Sequence, residues 1–268
     1  MVNHDEAEIA GYRDALGIIH ENFGTLPFFE DTILSLHKTL LSATGYEFGG
    51  QYKGNDNVIL EIDKDGRRKI RFAPVPATET ATAMEQLVLA YMDASSGSRI
   101  NQLLLIPCVI LDFLCIHPFR DGNGRMSRLL SLLLLYKNGY DAGKYVSFEE
   151  QINKEKGWYY ESLRQSSENW HENRNDYIPF MQNFLTMLYK CYAELDSRFA
   201  VVNSNKVSKT ARIEATVLNS LLPVSKADIC KILPDVSPTT IEFVLGNMVR
   251  SGVITTIGAG RGTKYVRA

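Results

Sequence analysis

Two stretches of the chain are apolar at nearly every position, Leu103–Ile116 and Leu129–Tyr136. A run of that kind without a polar face predicts a helix buried on all sides. Both fall well short of the 18 or so residues that a membrane span needs. Elsewhere the pattern is amphipathic. Glu8–Glu21 places Ile9, Tyr12, Leu16 and Ile19 at helical spacing, and Glu30–Thr44 does the same with Ile33, Leu36, Leu40 and Leu41. Gly45–Gly54 is glycine-rich and reads as a loop. Val58–Ile62 and Arg68–Phe72 read as the two strands of a hairpin around Lys64-Asp65-Gly66, because Asp-Gly favours a tight turn. Glu79–Asp93 is predicted as a helix, Ser95–Ser98 as a turn, and Gly157–Ser167 and Tyr177–Leu195 as further helices, with Asn138-Gly139 ending the second apolar one.

Between the two apolar segments lies a polar run, His117-Pro118-Phe119-Arg120-Asp121-Gly122-Asn123-Gly124-Arg125-Met126-Ser127-Arg128. Pro118 disfavours helix at His117, so the first buried helix ends there. Gly122 and Gly124 allow positive φ and a close approach of backbone to a ligand. A helix starting near Asn123 leaves amide N–H groups free at its first turn, a ready anion site. Arg125 and Arg128, three apart, share a face of that helix. Each feature alone has a bland reading: a helix-end histidine, a turn, a solvated pair of arginines. Together, held between two pieces of core, they read as a phosphate site with a base beside it.

At these residues the chain resembles the Fic family, whose signature His-Pro-Phe-x-(Asp or Glu)-Gly-Asn-Gly-Arg-x-x-Arg is matched at every specified position. The resemblance implies a mainly α fold, a Fic-type helical bundle with a small β-hairpin flap. It implies transfer of AMP from ATP to a Ser, Thr or Tyr hydroxyl of a target protein (AMPylation). By resemblance His117 is the general base, Phe119 anchors the loop, and Asp121 holds Mg²⁺ across the α- and β-phosphates. Gly122, Asn123 and Gly124 form the anion hole, while Arg125 and Arg128 bind the outer phosphates. A relative that phosphorylates instead carries Lys where this chain has Gly124, so the glycine implies AMP transfer. "GGQYK" resembles the segment leading into the flap, and the flap, with Ile62, Asp63 and Lys64, is expected to dock the target. "WYYESL" resembles the adenine-side helix, which makes Tyr159 and Tyr160 candidate adenine contacts, with core packing an equal reading for either. "YIPFMQNFL" resembles the family's last helix. Many Fic enzymes carry an inhibitory Ser/Thr-x-x-x-Glu-Gly/Asn helix; Thr210–Ala215 comes near but has Ala at the last position. Arg128 is therefore expected to be unblocked, with the inhibitory helix either lost by truncation ahead of Glu8 or supplied in trans by a separate protein.

Charge divides the chain. Residues 203–268 hold nine Lys/Arg against four Asp/Glu, whereas the first 202 hold 20 against 27. The expected domains are 1–200, a polar linker at 201–208, and 209–268. In the last, helices Arg212–Leu222, Ser225–Ile232 and one from Ser237-Pro238 to about Ser251 precede strands Val253–Ile257 and Thr263–Val266 around "GAGRG". That order resembles a winged helix-turn-helix. It would bind DNA through helix 239–251 or dock protein, as only Arg250 is a base-reading cation there and Glu242 opposes phosphate. The alternative function is thus a DNA-binding regulator with the Fic-like part as nucleotide sensor. Four scattered cysteines form no CxxC, the first eight residues are polar and acidic, and a cytoplasmic enzyme is expected, with its target protein as partner, homo-oligomer or monomer left open, and no membrane.

Overall fold

The computed structural model describes residues 4–62, 67–97, 100–203, 208–220 and 222–268. Two compact units divide the chain, residues 1–141 with 148–187, and residues 142–147 with 188–268. Among the described residues no helix is long and apolar enough to cross a membrane.

The first unit is helical. α1 (His4–Asn22) packs against α2 (Glu30–Leu41); the hairpin β1 (Ile59–Ile62) and β2 (Arg68–Phe72) follows; then come α3 (Thr80–Ser96), α4 (Gln102–Ile116), α5 (Asn123–Lys137), α6 (Phe148–Lys154), α7 (Lys156–Ser167) and the start of α8 (Ile178–Asn203). Both apolar segments of the sequence are the buried helices expected. In α5, Leu129, Leu130 and Leu132 through Leu135 are all buried, so this helix is a central post with no solvent stripe.

The inner face of α1 differs from expectation. Ala7, Gly11, Ala15 and Ile19 are the buried positions, whereas Ile9 is 68% exposed. The reason is close packing: a Cβ on Gly11 would lie 2.1 Å from the Leu40 carbonyl oxygen. A row of small residues lets the two backbones approach, and a larger apolar stripe would hold them apart. Helix α3 also runs on to Ser96, through the start of the expected turn, and α6 was not foreseen. The hairpin is antiparallel as expected, but its turn Lys64-Asp65-Gly66 lies outside the described residues, as do Asp63 and residues 204–207 of the expected linker.

The second unit holds α9 (Lys209–Leu218), β3 (Val224–Ser225), α10 (Lys226–Ile232), α11 (Pro238–Arg250), β4 (Ile254–Ile257) and β5 (Lys264–Arg267). Its sheet has the order β3-β5-β4, all antiparallel. The cap expected at Ser237 is present: its hydroxyl accepts from the Thr240 amide ahead of Pro238. Ser225, expected inside its helix, forms a reciprocal capping box with Asp228. Ile213, Ile229, Ile241 and Leu245 centre a core of its own. The short β3 had no signal in the sequence.

Candidate active site

The turn between α4 and α5 carries the polar motif, and its geometry follows from three strained or clamped points. His117 ends α4 in the left-handed region (φ 50°), and Gly122 caps α5 at φ 83°. Between them the Asn123 side chain closes the loop on Phe119. Its Oδ1 accepts from the Phe119 amide at 2.9 Å and its Nδ2 donates to the Phe119 carbonyl at 2.7 Å. Phe119 is fully buried, as its anchoring role requires.

Two residues outside the motif hold this loop from below. His37 on α2 is fully buried and stacks on Phe119, ring centroids 3.6 Å apart. Its Nδ1 accepts from the Gly50 amide and its Nε2 donates to the Asp121 carbonyl, each at 3.0 Å. Burial pushes its pKa down to about 4, and the Asp121 carbonyl only partly opposes this. Lys53, also buried, donates from Nζ to the carbonyls of Ile116 (3.1 Å) and His117 (3.0 Å) and to Asn57 Oδ1 (2.9 Å). Its backbone amide donates to the Pro118 carbonyl, and Asn57 reaches the Phe119 carbonyl. These contacts satisfy carbonyls that the end of α4 would otherwise leave unpaired.

His117 Nδ1 lies 3.3 Å from the Leu114 carbonyl. A carbonyl only accepts, so Nδ1 carries the proton and Nε2 keeps its lone pair, with no hydrogen-bond partner among the described residues. Desolvation pushes the His117 pKa down to about 4; the cations Lys53 and Arg71 act in the same direction, while the Leu114 carbonyl and Asp121 oppose it. At neutral pH this imidazole is an uncharged acceptor.

A cavity of about 190 Å³ opens at His117. It is lined by Gly124 and Arg128 of α5, by Tyr159, Tyr160 and Leu163 of α7, and by Ile59, Arg71 and Phe72 of the hairpin, among others. The first amide of α5 bonded within the helix is Met126, to Gly122 O at 2.8 Å. The amides of Asn123, Gly124 and Arg125 therefore have no helical acceptor. The Gly122 amide, assigned to the anion hole, is instead taken by its neighbour Asp121 Oδ1 at 2.6 Å. Asn123 contributes there only through its backbone, since its side chain clamps Phe119.

The expectation of an unblocked Arg128 is corrected. Arg128 pairs with Glu149 of α6 at 2.8 Å, and Arg125 pairs with Glu8 of α1 and with Asp121, both at 3.1 Å. Tyr12, Glu8, Glu149 and both arginines line a second cavity, about 400 Å³, so Arg128 borders both. Its Nε is buried with no hydrogen-bond partner among the described residues. Tyr159 is buried against Phe180, and Tyr160 is half exposed beside it; both border the first cavity. Ile62 ends β1, while Asp63 and Lys64 lie outside the described residues.

His117, Gly124 and Arg128 line one cavity at the start of α5, an arrangement suited to holding a phosphate beside a proton acceptor. Comparison with known proteins agrees in family. Residues 27–135 match the model of the Fic/DOC family, whose members generally transfer AMP to proteins, so this part of the chain is similar to a Fic/DOC domain. A Fido domain-containing protein of Dictyostelium discoideum is 28% identical over 121 residues, covering 45% of this chain and 78% of that protein. A Fic family protein from Desulfovibrio desulfuricans G20 superposes with a TM-score of 0.58 at 20% identity, over 99% of this chain and 75% of that one. BepC of Bartonella tribocorum, solved with bound AMPPNP, gives a TM-score of 0.50 at 16% identity, over 68% of this chain and 84% of that one.

Proposed function

We propose that this protein transfers AMP from ATP to a Ser, Thr or Tyr hydroxyl of a target protein and releases pyrophosphate. The observation that carries this reading is the free Nε2 lone pair of His117 in the same cavity as Gly124 and Arg128. His117 Nε2 takes the hydroxyl proton as the oxygen bonds to the α-phosphorus. The bond from that phosphorus to the bridging oxygen breaks, and pyrophosphate departs with its electron pair. The unbonded amides of Asn123 and Gly124 stabilise the oxygens of the transferring group, and such preorganised donors dominate phosphoryl-type transfer.

Arg125 and Arg128 receive the outer phosphates, which must compete with Glu8 and Glu149 for the guanidinium groups. The adenine lies against Tyr159 and Tyr160 of α7. The AMPPNP carried by BepC supports a nucleotide in this fold. A Mg²⁺ ion accompanying the phosphates would be held by Asp121, whose half-exposed carboxylate fits an ion that keeps waters and phosphate oxygens, and it would neutralise phosphate charge there. Among the described residues no three His, Cys, Asp or Glu side chains converge into a cage, so the ion depends on the nucleotide. The free edge of the hairpin suits an extended target segment added as a strand.

The second unit supports the winged-helix reading and favours protein over DNA as its partner. On α11, Phe243 is 66% exposed, Glu242 is tied to Lys226 at 2.7 Å, and Arg250 is bonded to Asn247. A groove-reading helix would present cations there instead.

Incubation with α-labelled or γ-labelled ATP and Mg²⁺, comparing the protein with its His117→Ala variant, tests the reading. Label is expected on protein from the α position only and only with His117 present. Transfer of the γ label would make the protein a kinase, and binding of operator DNA without label transfer would support the regulator.

A further inference from the structure

The hairpin register contains an irregularity that bears on the cavity. Ile62, Glu61 and Leu60 face Arg68, Lys69 and Ile70 in turn, but the next residue, Ile59, faces Phe72. Arg71 is thus an extra residue with no partner on β1, a bulge. Bulges bend a strand and re-aim the side chain they carry, and they are over-represented beside active sites. Here the re-aimed side chain lines the His117 cavity together with Gly124, Arg128 and Tyr160.

The three arginines of this region differ in one respect. Arg125 has Glu8 and Asp121, and Arg128 has Glu149. Arg71 makes no hydrogen bond or ion pair with any described residue; Cys115, Glu61 and Tyr160 favour its charged form through space alone, and Arg164 opposes it. It is half buried, and burial pulls its pKa below the usual arginine range. A partly desolvated guanidinium without a carboxylate is costly unless an anion completes it. No motif in the sequence assigns such a role to this position.

We infer that Arg71 is a third phosphate-binding arginine, delivered by the hairpin, which holds an oxygen of the nucleotide's α-phosphate beside His117. The inference rests on the proposed nucleotide site and adds a consequence: the hairpin that docks the target also supplies part of the phosphate cradle. A guanidinium here shares the cavity with Gly124 and Arg128 of α5, so the transferring group is held by the hairpin as well as by the helix.

Calorimetric binding of AMP and of adenosine to the full chain tests this, with Arg71→Ala and Arg71→Lys as variants. Arg71→Ala is expected to weaken AMP binding about ten- to a hundredfold, as loss of a charge-assisted contact does, and to leave adenosine within about twofold. Arg71→Lys recovers part of the loss, because it keeps the charge without the fork. The acid limb of kcat/KM also moves to higher pH in Arg71→Ala. One of the two cations opposing protonation of His117 is gone, while Lys53, Asp121 and the Leu114 carbonyl remain. Equal losses for adenosine and AMP would overturn the inference in favour of a base contact, and an unchanged AMP affinity would overturn it outright. A protein that binds AMP with this Arg71 dependence yet transfers no label would sink the transferase reading alone, whereas failure of the unaltered protein to bind AMP would sink both.

Discussion

Replacing Lys53 by Met would remove a single ammonium group and disturb the catalytic loop without touching the cavity. The side chain is buried, and its Nζ serves the Ile116 and His117 carbonyls and Asn57 Oδ1 within 2.9–3.1 Å. Met keeps the apolar stem but donates nothing. Each buried acceptor left without a donor costs about 1–3 kcal/mol; the Ile116 carbonyl is left so and the His117 carbonyl keeps only a long contact from Asn57 Nδ2 at 3.5 Å, so the two together lose up to about 6. Against this stands relief from burying a charge, a real strain, since desolvation pushes the Lys53 pKa down to about 8. The net destabilisation expected is about 2–3 kcal/mol, a fall of roughly 4–12 °C in the melting temperature of the helical unit. The left-handed turn at His117 loses its tether, and a displacement of about 1 Å there is worth up to about a hundredfold in kcat. Thermal unfolding followed by circular dichroism, with label-transfer kinetics on the same sample, measures both. A Lys53→Met protein that melts within about 1 °C of the parent and keeps its kcat would refute the reasoning.

Gly124→Ala separates folding from binding. A Cβ there meets nothing nearer than Arg128 Nη1 at 3.6 Å, so the melting temperature should hold or rise, while the methyl group standing in the phosphate cradle weakens ATP binding about tenfold or more by calorimetry. The pH profile of kcat/KM, which reports the free enzyme, should stay flat from pH 8 to about 5, because His117 charges only near pH 4 and must be neutral to accept a proton. An imidazole of ordinary pKa, about 6.5, would instead lose roughly tenfold by pH 5.5. Glu149→Gln leaves Arg128 without its carboxylate and should lower KM for ATP with little change in kcat, read from initial rates; an unchanged KM would mean that the pair does not compete with phosphate.

What could be read from the sequence was what repeats or what is contiguous. The buried α4 and α5 are legible as unbroken apolar runs, and the motif between them as a dense local cluster. The residues that brace the motif are legible only in three dimensions. His37 stands on the inner face of α2 between Leu36 and Leu40, where a histidine looks like an ordinary core position until Phe119 and Asp121, more than 80 residues away, come to meet it. Lys53 lies in the "GGQYK" segment that resemblance had marked, but its partners are main-chain carbonyls, which leave no trace in a sequence. The inner face of α1 was misjudged because side-chain size, rather than hydrophobicity, decides how near two helices can come. The pairs Arg125–Glu8 and Arg128–Glu149 join different helices, so neither leaves a periodicity in the sequence. Arg71 was hidden by the bulge, because regular alternation along β2 gives no warning of an extra residue.

The central claim is that a triphosphate occupies the N-terminal end of α5 with its α-phosphorus presented to His117. A crystal of the protein with a non-hydrolysable ATP analogue and Mg²⁺ measures this directly. The account predicts the α-phosphorus at the mouth of the Asn123 and Gly124 amides, with room for a hydroxyl oxygen about 3–3.5 Å from it and within hydrogen-bond reach of His117 Nε2. A nucleotide seated with its γ-phosphate at His117, or held elsewhere with Arg128 still bound to Glu149, would contradict it.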